Sequence, residues 1–77
     1  MPNWYKKEGY EISDMDTGGS PQYFGFVEAV GNWYIIQMSS GGAVRYARGD
    51  SNLNPYIPNW TNRATLTYDY FYNVFSV

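Results

Sequence analysis

Apolar and polar positions are most regularly patterned between Tyr23 and Arg48, where YFGFVEAV, WYIIQMSS and AVRYAR are separated by Gly31-Asn32 and Gly41-Gly42. Short runs rich in aromatic and β-branched residues, each bounded by glycine, predict three strands of an antiparallel meander. Gly31-Asn32 reads as a two-residue turn, whose first central position favours glycine. That turn sets Val30 opposite Trp33, Val27 opposite Ile36 and Phe26 opposite Gln37. One face of the hairpin then carries Phe24, Phe26, Trp33 and Ile35, and the other carries Tyr23, Val27, Tyr34, Ile36 and Met38. A sheet with one wet face alternates apolar with polar residues, and this one does not. The rest of the chain is expected to cover one face, and another subunit the second.

The flanks are less regular. Residues 1–22 read as an N-terminal arm or loop with a short strand near Tyr10–Ile12, and residues 23–77 as a single small β-domain. Gly18-Gly19-Ser20-Pro21 punctuates the boundary. GDSNLNPYIPN, residues 49–59, reads as loop because its prolines and asparagines do not hold a ladder. Asn59 or Thr61 then caps a short helix near 60–65. The β-favouring run of threonines and aromatics after it predicts a C-terminal strand from Leu66 to Val74. The fold class is mainly all-β: a small antiparallel three-stranded meander plus a C-terminal strand, with that short helix.

Composition narrows the chemistry. The 77 residues include no cysteine and no histidine, so disulfides, cysteine–histidine zinc sites and the commonest general base and nucleophile are excluded. An enzyme is not expected, and no cofactor or metal is assigned. Asp14-Met15-Asp16-Thr17-Gly18-Gly19 opens like a calcium loop, but Gly25 stands where its bidentate glutamate belongs. Arg48-Gly49-Asp50 spells an integrin-binding tripeptide, yet glycine and aspartate where a strand ends at a turn are ordinary. The net charge of −2, without a basic stripe, argues against nucleic acid as a partner. No apolar run reaches the roughly 18 residues of a membrane span, and the N-terminus lacks the apolar middle of a secretion signal.

Aromatic residues make up 21% of the chain, with nine tyrosines, a composition suited to interfaces. Trp4, Tyr5, Tyr10, Tyr23, Tyr34, Ile36 and Met38 are the candidate interface residues. The alternative use of such residues is a carbohydrate-binding platform, for which Trp33, Tyr46, Tyr56 and Trp60 are the candidates. Asn54, Asn59 and Asn62 would then supply hydrogen bonds to the sugar.

Gly31-Asn32-Trp33-Tyr34-Ile35-Ile36, Val44-Arg45-Tyr46-Ala47-Arg48-Gly49, Asn59-Trp60-Thr61-Asn62-Arg63 and Leu66-Thr67-Tyr68-Asp69-Tyr70-Phe71 resemble short proteins encoded in tailed-phage genomes. Some of those proteins fall among virion structural genes, and the resemblance covers about residues 22–75. It implies a non-enzymatic virion component, such as a capsid decoration, adaptor or fibre-associated protein, made in the host cytoplasm and located in the particle. Its expected partners are copies of itself, as a homo-oligomer, and other virion proteins, with no small-molecule ligand. The rival expectations are the carbohydrate-binding module and a small phage regulator that binds a host protein.

Overall fold

The computed structural model describes residues 7–50 and 52–75. The chain is mainly β. Four strands, β1 (Tyr10–Asp16), β2 (Gln22–Glu28), β3 (Trp33–Met38) and β4 (Val44–Gly49), form one open antiparallel sheet in the order β1-β2-β3-β4. A short helix α1 (Tyr56–Thr61), a 3₁₀ turn (Arg63–Thr65) and a second helical turn α2 (Phe71–Val74) follow. The expected meander is therefore present, joined by a fourth strand at its N-terminal side. β1 runs well past Ile12, so the boundary expected at residue 22 falls inside the sheet.

Turn chemistry sets a register different from the one expected. The β2–β3 loop has three residues, Ala29-Val30-Gly31, closed by Gly31 N–H to the Glu28 carbonyl and Glu28 N–H to the Asn32 carbonyl, both 2.9 Å. Gly31 ends the loop at φ 97°, the left-handed residue that a three-residue hairpin needs. Ser40-Gly41-Gly42 repeats the device between β3 and β4, with Gly42 at φ 91°. Val27 consequently faces Trp33, and Phe26 faces Tyr34. The side-chain period of a strand is two, so this odd shift exchanges the two faces of β3 relative to β2. Trp33 and Ile35 share a face with Tyr23 and Val27, while Tyr34 and Ile36 share the other with Phe24 and Phe26.

Both faces are apolar, as read from the sequence, but one chain covers both. On the first, Tyr56, Trp60, Leu66 and Tyr68 pack over Tyr23, Trp33 and Ile35. On the second, Tyr10, Met38, Val44, Tyr46 and Phe75 surround Phe24, Phe26, Tyr34 and Ile36. The sheet's second face thus needs no other subunit, which corrects the expectation of a half-built interface. Ile35 and Ile36 are wholly buried, and Tyr34 and Phe26 are 1% exposed. Burial of each such side chain stabilises the fold by about 1.5–3 kcal/mol.

Two glycines let aromatic rings touch the sheet. A Cβ on Gly25 would lie 2.0 Å from the Tyr56 hydroxyl oxygen, and one on Gly49 would lie 2.6 Å from Trp33 Cζ2. Trp33 and Gly49 are direct cross-strand partners, so the indole lies over the glycine backbone. Its N–H donates to the Asn54 carbonyl and ties the loop after β4 to the sheet.

The C-terminal third departs most from expectation. α1 begins at Tyr56, inside the stretch read as loop, because Pro58 falls in the first helical turn, where no intrahelical N–H is required. Instead of a strand over residues 66–74, Asp69 makes one antiparallel bridge to Tyr46, and α2 begins two residues later. Helical spacing brings the Phe71 and Phe75 rings to 4.7 Å in a tilted pair, and both meet Tyr46 edge-on. That packing outweighs the β preference of the run.

Gly25→Ala is expected to lower unfolding free energy by roughly 1–3 kcal/mol, because Tyr56 must move off the sheet to admit the methyl group. Urea denaturation would measure this. A loss within experimental error would show that Tyr56 does not hold its place against Gly25.

Candidate functional site

The residues that join the C-terminal third to the sheet come from β1. Ile12 faces Phe26, but Asp14 faces Gly25, leaving Ser13 as an extra residue. This bulge turns Asp14 and Asp16 to the face opposite Tyr10 and Ile12, the re-aiming that bulges provide. Asp14 there accepts the Tyr56 hydroxyl hydrogen at 2.8 Å, and Asp16 accepts two bonds from the Arg63 guanidinium at 2.8 and 3.2 Å. Arg63 also donates to the Trp60 carbonyl and lies 4.6 Å from the Trp60 ring. The acidic stretch considered for calcium is thus strand as far as Asp16, with both carboxylates engaged by side chains. Among the described residues no group of three or more carboxylates is placed to hold a metal.

The bridge at Asp69 builds an exposed aromatic ridge on the far edge of the sheet. Asp69 and Tyr46 exchange backbone hydrogen bonds at 2.7 and 2.9 Å. The Asp69 carboxylate accepts from Tyr70 N–H at 2.7 Å and from the Asn73 amide at 3.2 Å, which holds its pKa below the ordinary value. Tyr70 and Tyr72 stack at 5.5 Å, and the Arg45 guanidinium lies 4.0 Å from the Tyr70 ring. Tyr70, Phe71 and Tyr72 are all exposed, Tyr72 by 66%. Leu53 and Ile57 are exposed on the loop before α1 and on α1 itself.

Most candidate residues read from the sequence lie elsewhere than expected. Trp4 and Tyr5 lie outside the described residues. Tyr23, Tyr34 and Ile36 are interior, and Met38 and Tyr10 are half-buried against the second-face cluster. Coverage explains this: these side chains lie on faces that the chain itself covers. Of the carbohydrate candidates, Trp33, Tyr56 and Trp60 do come together, with Trp33–Tyr56 at 6.2 Å and Tyr56–Trp60 at 6.1 Å. They meet as packing, however: Trp33 is 2% exposed, Tyr56 is buried, and Arg63 lies over Trp60. Tyr46 is half-buried on the opposite face. A groove of about 290 Å³ beside β4 is lined by Trp33, Arg48, Asn54, Asn59, Leu66 and Thr67 among others, but its tryptophan offers almost no free surface.

Arg48-Gly49-Asp50 has a structural account. Gly49 admits Trp33, and Asp50 accepts from the backbone N–H groups of Asn52 and Leu53, both at 2.9 Å. Glu28 accepts from Asn32 within its own hairpin. The ridge residues Tyr70, Phe71 and Tyr72 do not stand out in the sequence, because the run YDYFY has the residue preferences of a strand. Its one available signal was an unusually dense aromatic cluster lacking alternation.

No family model matches the chain, and no curated protein and no solved structure matches it either.

Burial pushes the Tyr56 and Tyr68 hydroxyls well above the ordinary tyrosine value, with the Asp14 hydrogen bond adding to the effect at Tyr56 and Tyr23 adding at Tyr68. Tyr34 is raised by burial, and Tyr10 by burial and then by Glu28. Above about pH 10 the unfolded chain releases these protons while the folded chain keeps them, so stability falls as pH rises. It is fully present below that pH. The slope reaches at most about 1.4 kcal/mol per pH unit for each retained proton, and less for the more exposed Tyr10. Melting temperatures measured from neutral to strongly alkaline pH should drop accordingly. Tyr56→Phe should lower stability at neutral pH yet flatten the alkaline decline.

Proposed function

We propose that this protein is a non-catalytic virion component, a capsid decoration, adaptor or fibre-associated protein of a phage particle, that works through subunit–subunit contacts. The observation that carries this reading is the exposed ridge of Tyr70, Phe71 and Tyr72 beside Arg45, on a domain whose core is already complete. Tyrosine, phenylalanine and arginine are the residue types that concentrate in protein interfaces, and stacked rings lose little conformational freedom on binding. The resemblance of residues 22–75 to tailed-phage proteins supplies the setting. A sequence without histidine or cysteine supports contact rather than chemistry as its mode of action.

The carbohydrate reading has less support, since its platform would need Trp33 and Tyr56 to leave the core. Binding of a host protein by a small phage regulator would use the same ridge, and a pull-down from host lysate separates that reading from the first.

Mass spectrometry of purified particles should find the protein. Sedimentation of the isolated chain should show self-association that Tyr70→Ser combined with Tyr72→Ser weakens about tenfold or more, with the circular dichroism spectrum unchanged. A strictly monomeric chain that is absent from particles would falsify the proposal.

A further inference from the structure

β4 is an edge of the sheet, and the returning chain pairs with its outer side at Tyr46. Ser39 N–H donates to the Ala43 carbonyl across the β3–β4 loop, so by alternation Arg45, Ala47 and Gly49 direct their backbone groups toward β3. Val44, Tyr46 and Arg48 direct theirs outward. Asp69 takes up both the amide and the carbonyl of Tyr46. Continuing that antiparallel register would set Thr67 opposite Arg48, but the ladder stops, and no backbone bond joins these two residues. The groove of about 290 Å³ lies in this gap and is lined by both of them. Among the described residues none takes up the Arg48 amide or carbonyl. An interrupted ladder thus leaves one donor and one acceptor of the backbone facing a groove.

The lining selects the ligand. Ala47, Leu66 and Val74 supply an apolar wall, and Thr67 and two asparagines supply neutral polar groups. Arg48 is exposed and is the only charged residue among the described ones that line the groove. Its guanidinium lies 5.3 Å from the Phe75 ring, and no carboxylate among the described residues pairs with it. A single cation beside an apolar wall suits a carboxylate on an apolar group rather than a phosphate. The free carbonyl of Arg48 asks in addition for an N–H donor. A peptide's last residue offers all three: a carboxylate, an amide N–H and a side chain. The groove is also close to the lower bound of small-ligand cavities, about 300 Å³, which suits a terminal residue better than a long segment. We propose that this groove binds the C-terminal residue of another polypeptide, one with an apolar side chain. The terminal amide N–H donates to the Arg48 carbonyl, and the carboxylate accepts from the Arg48 amide and guanidinium. The apolar side chain rests on Leu66 and Val74. This site is separate from the aromatic ridge and does not depend on the virion setting.

The test is titration of the isotope-labelled full chain with N-acetylated tripeptides ending in valine, leucine or phenylalanine, followed by amide chemical shifts. At least one should bind with a Kd on the order of 1 mM or tighter, with shifts concentrated at Ala47 to Gly49 and Leu66 to Tyr68. The same peptide with a C-terminal carboxamide should bind about tenfold more weakly or worse, and so should isobutyrate, a carboxylate without the peptide N–H. Arg48→Gln, at an exposed position, should lower affinity for the acid about tenfold while leaving that for the carboxamide unchanged. Thr67→Tyr fills the groove from another exposed position and should weaken both, which keeps the test decisive if the arginine variant unfolds. Carboxamide or isobutyrate binding as tightly as the acid, shifts confined to Tyr70–Tyr72, unchanged affinity in a folded variant, or no binding by any of the three peptides would each overturn the proposal. Failure to bind by a chain that is found in particles would sink this inference alone. Binding at Arg48 by a chain that is absent from particles would sink only the virion reading.

Discussion

The first face of the sheet depends on the contact between Tyr56 and Gly25. A ring lies directly on the backbone of a central strand, with its hydroxyl hydrogen-bonded to Asp14 on the neighbouring strand. Three local features make this contact available. A glycine in β2 leaves room for the ring. The bulge at Ser13 turns Asp14 onto the correct face, and a helix starting at Tyr56 delivers the side chain. A buried phenol without a partner would cost free energy, so the hydrogen bond is what allows a tyrosine rather than a phenylalanine at this position. Trp60, Arg63 and Tyr68 then follow in sequence and complete the cover.

The second face is closed by aromatic packing around Tyr34. Its ring stacks on Phe26 at 4.8 Å, meets Tyr10 at 5.0 Å and takes the edge of Phe75 at 5.5 Å, while Lys7 N–H donates to its hydroxyl. Tyrosine suits a sheet this small: each ring buries a large area, and its polar tip finds a partner at the margin of the core. With both faces filled from within, the side chains left over for contact are those on the margins. They include the ridge anchored by Asp69 at one edge, the apolar side chains of β1 at the other, and Leu53 and Ile57 on and before α1. The proposed contact accordingly uses an edge, although the sequence pattern pointed to a face.

Much of the architecture was legible from residue order alone. Glycine punctuation marked the β2–β3–β4 meander, and uninterrupted apolar character showed that both of its faces are covered. The absence of cysteine and histidine bounded the chemistry. The candidate contact residues were less legible, because face assignment in a strand depends on turn length. Gly31-Asn32 fits a two-residue turn by type, yet the left-handed residue Gly31 closes a three-residue loop. That single difference placed Tyr34 and Ile36 beside Phe24 and Phe26 rather than beside Tyr23 and Val27, and the chain's own cover of both faces made them interior.

What the sequence determined by itself is therefore the three strands of the β2–β3–β4 meander, the positions of their turns and the need to bury two apolar faces, since these follow from local periodicity and backbone preference. Register, the bulge at Ser13 and the helical turn at Phe71–Val74 were decided only in the tertiary structure. The register depends on how the β2–β3 ladder closes as a whole, while Asp14 needs Tyr56, and Phe71 and Phe75 need Tyr46, partners distant along the chain. Local preferences at these positions are nearly balanced, and burial of aromatic area tips them.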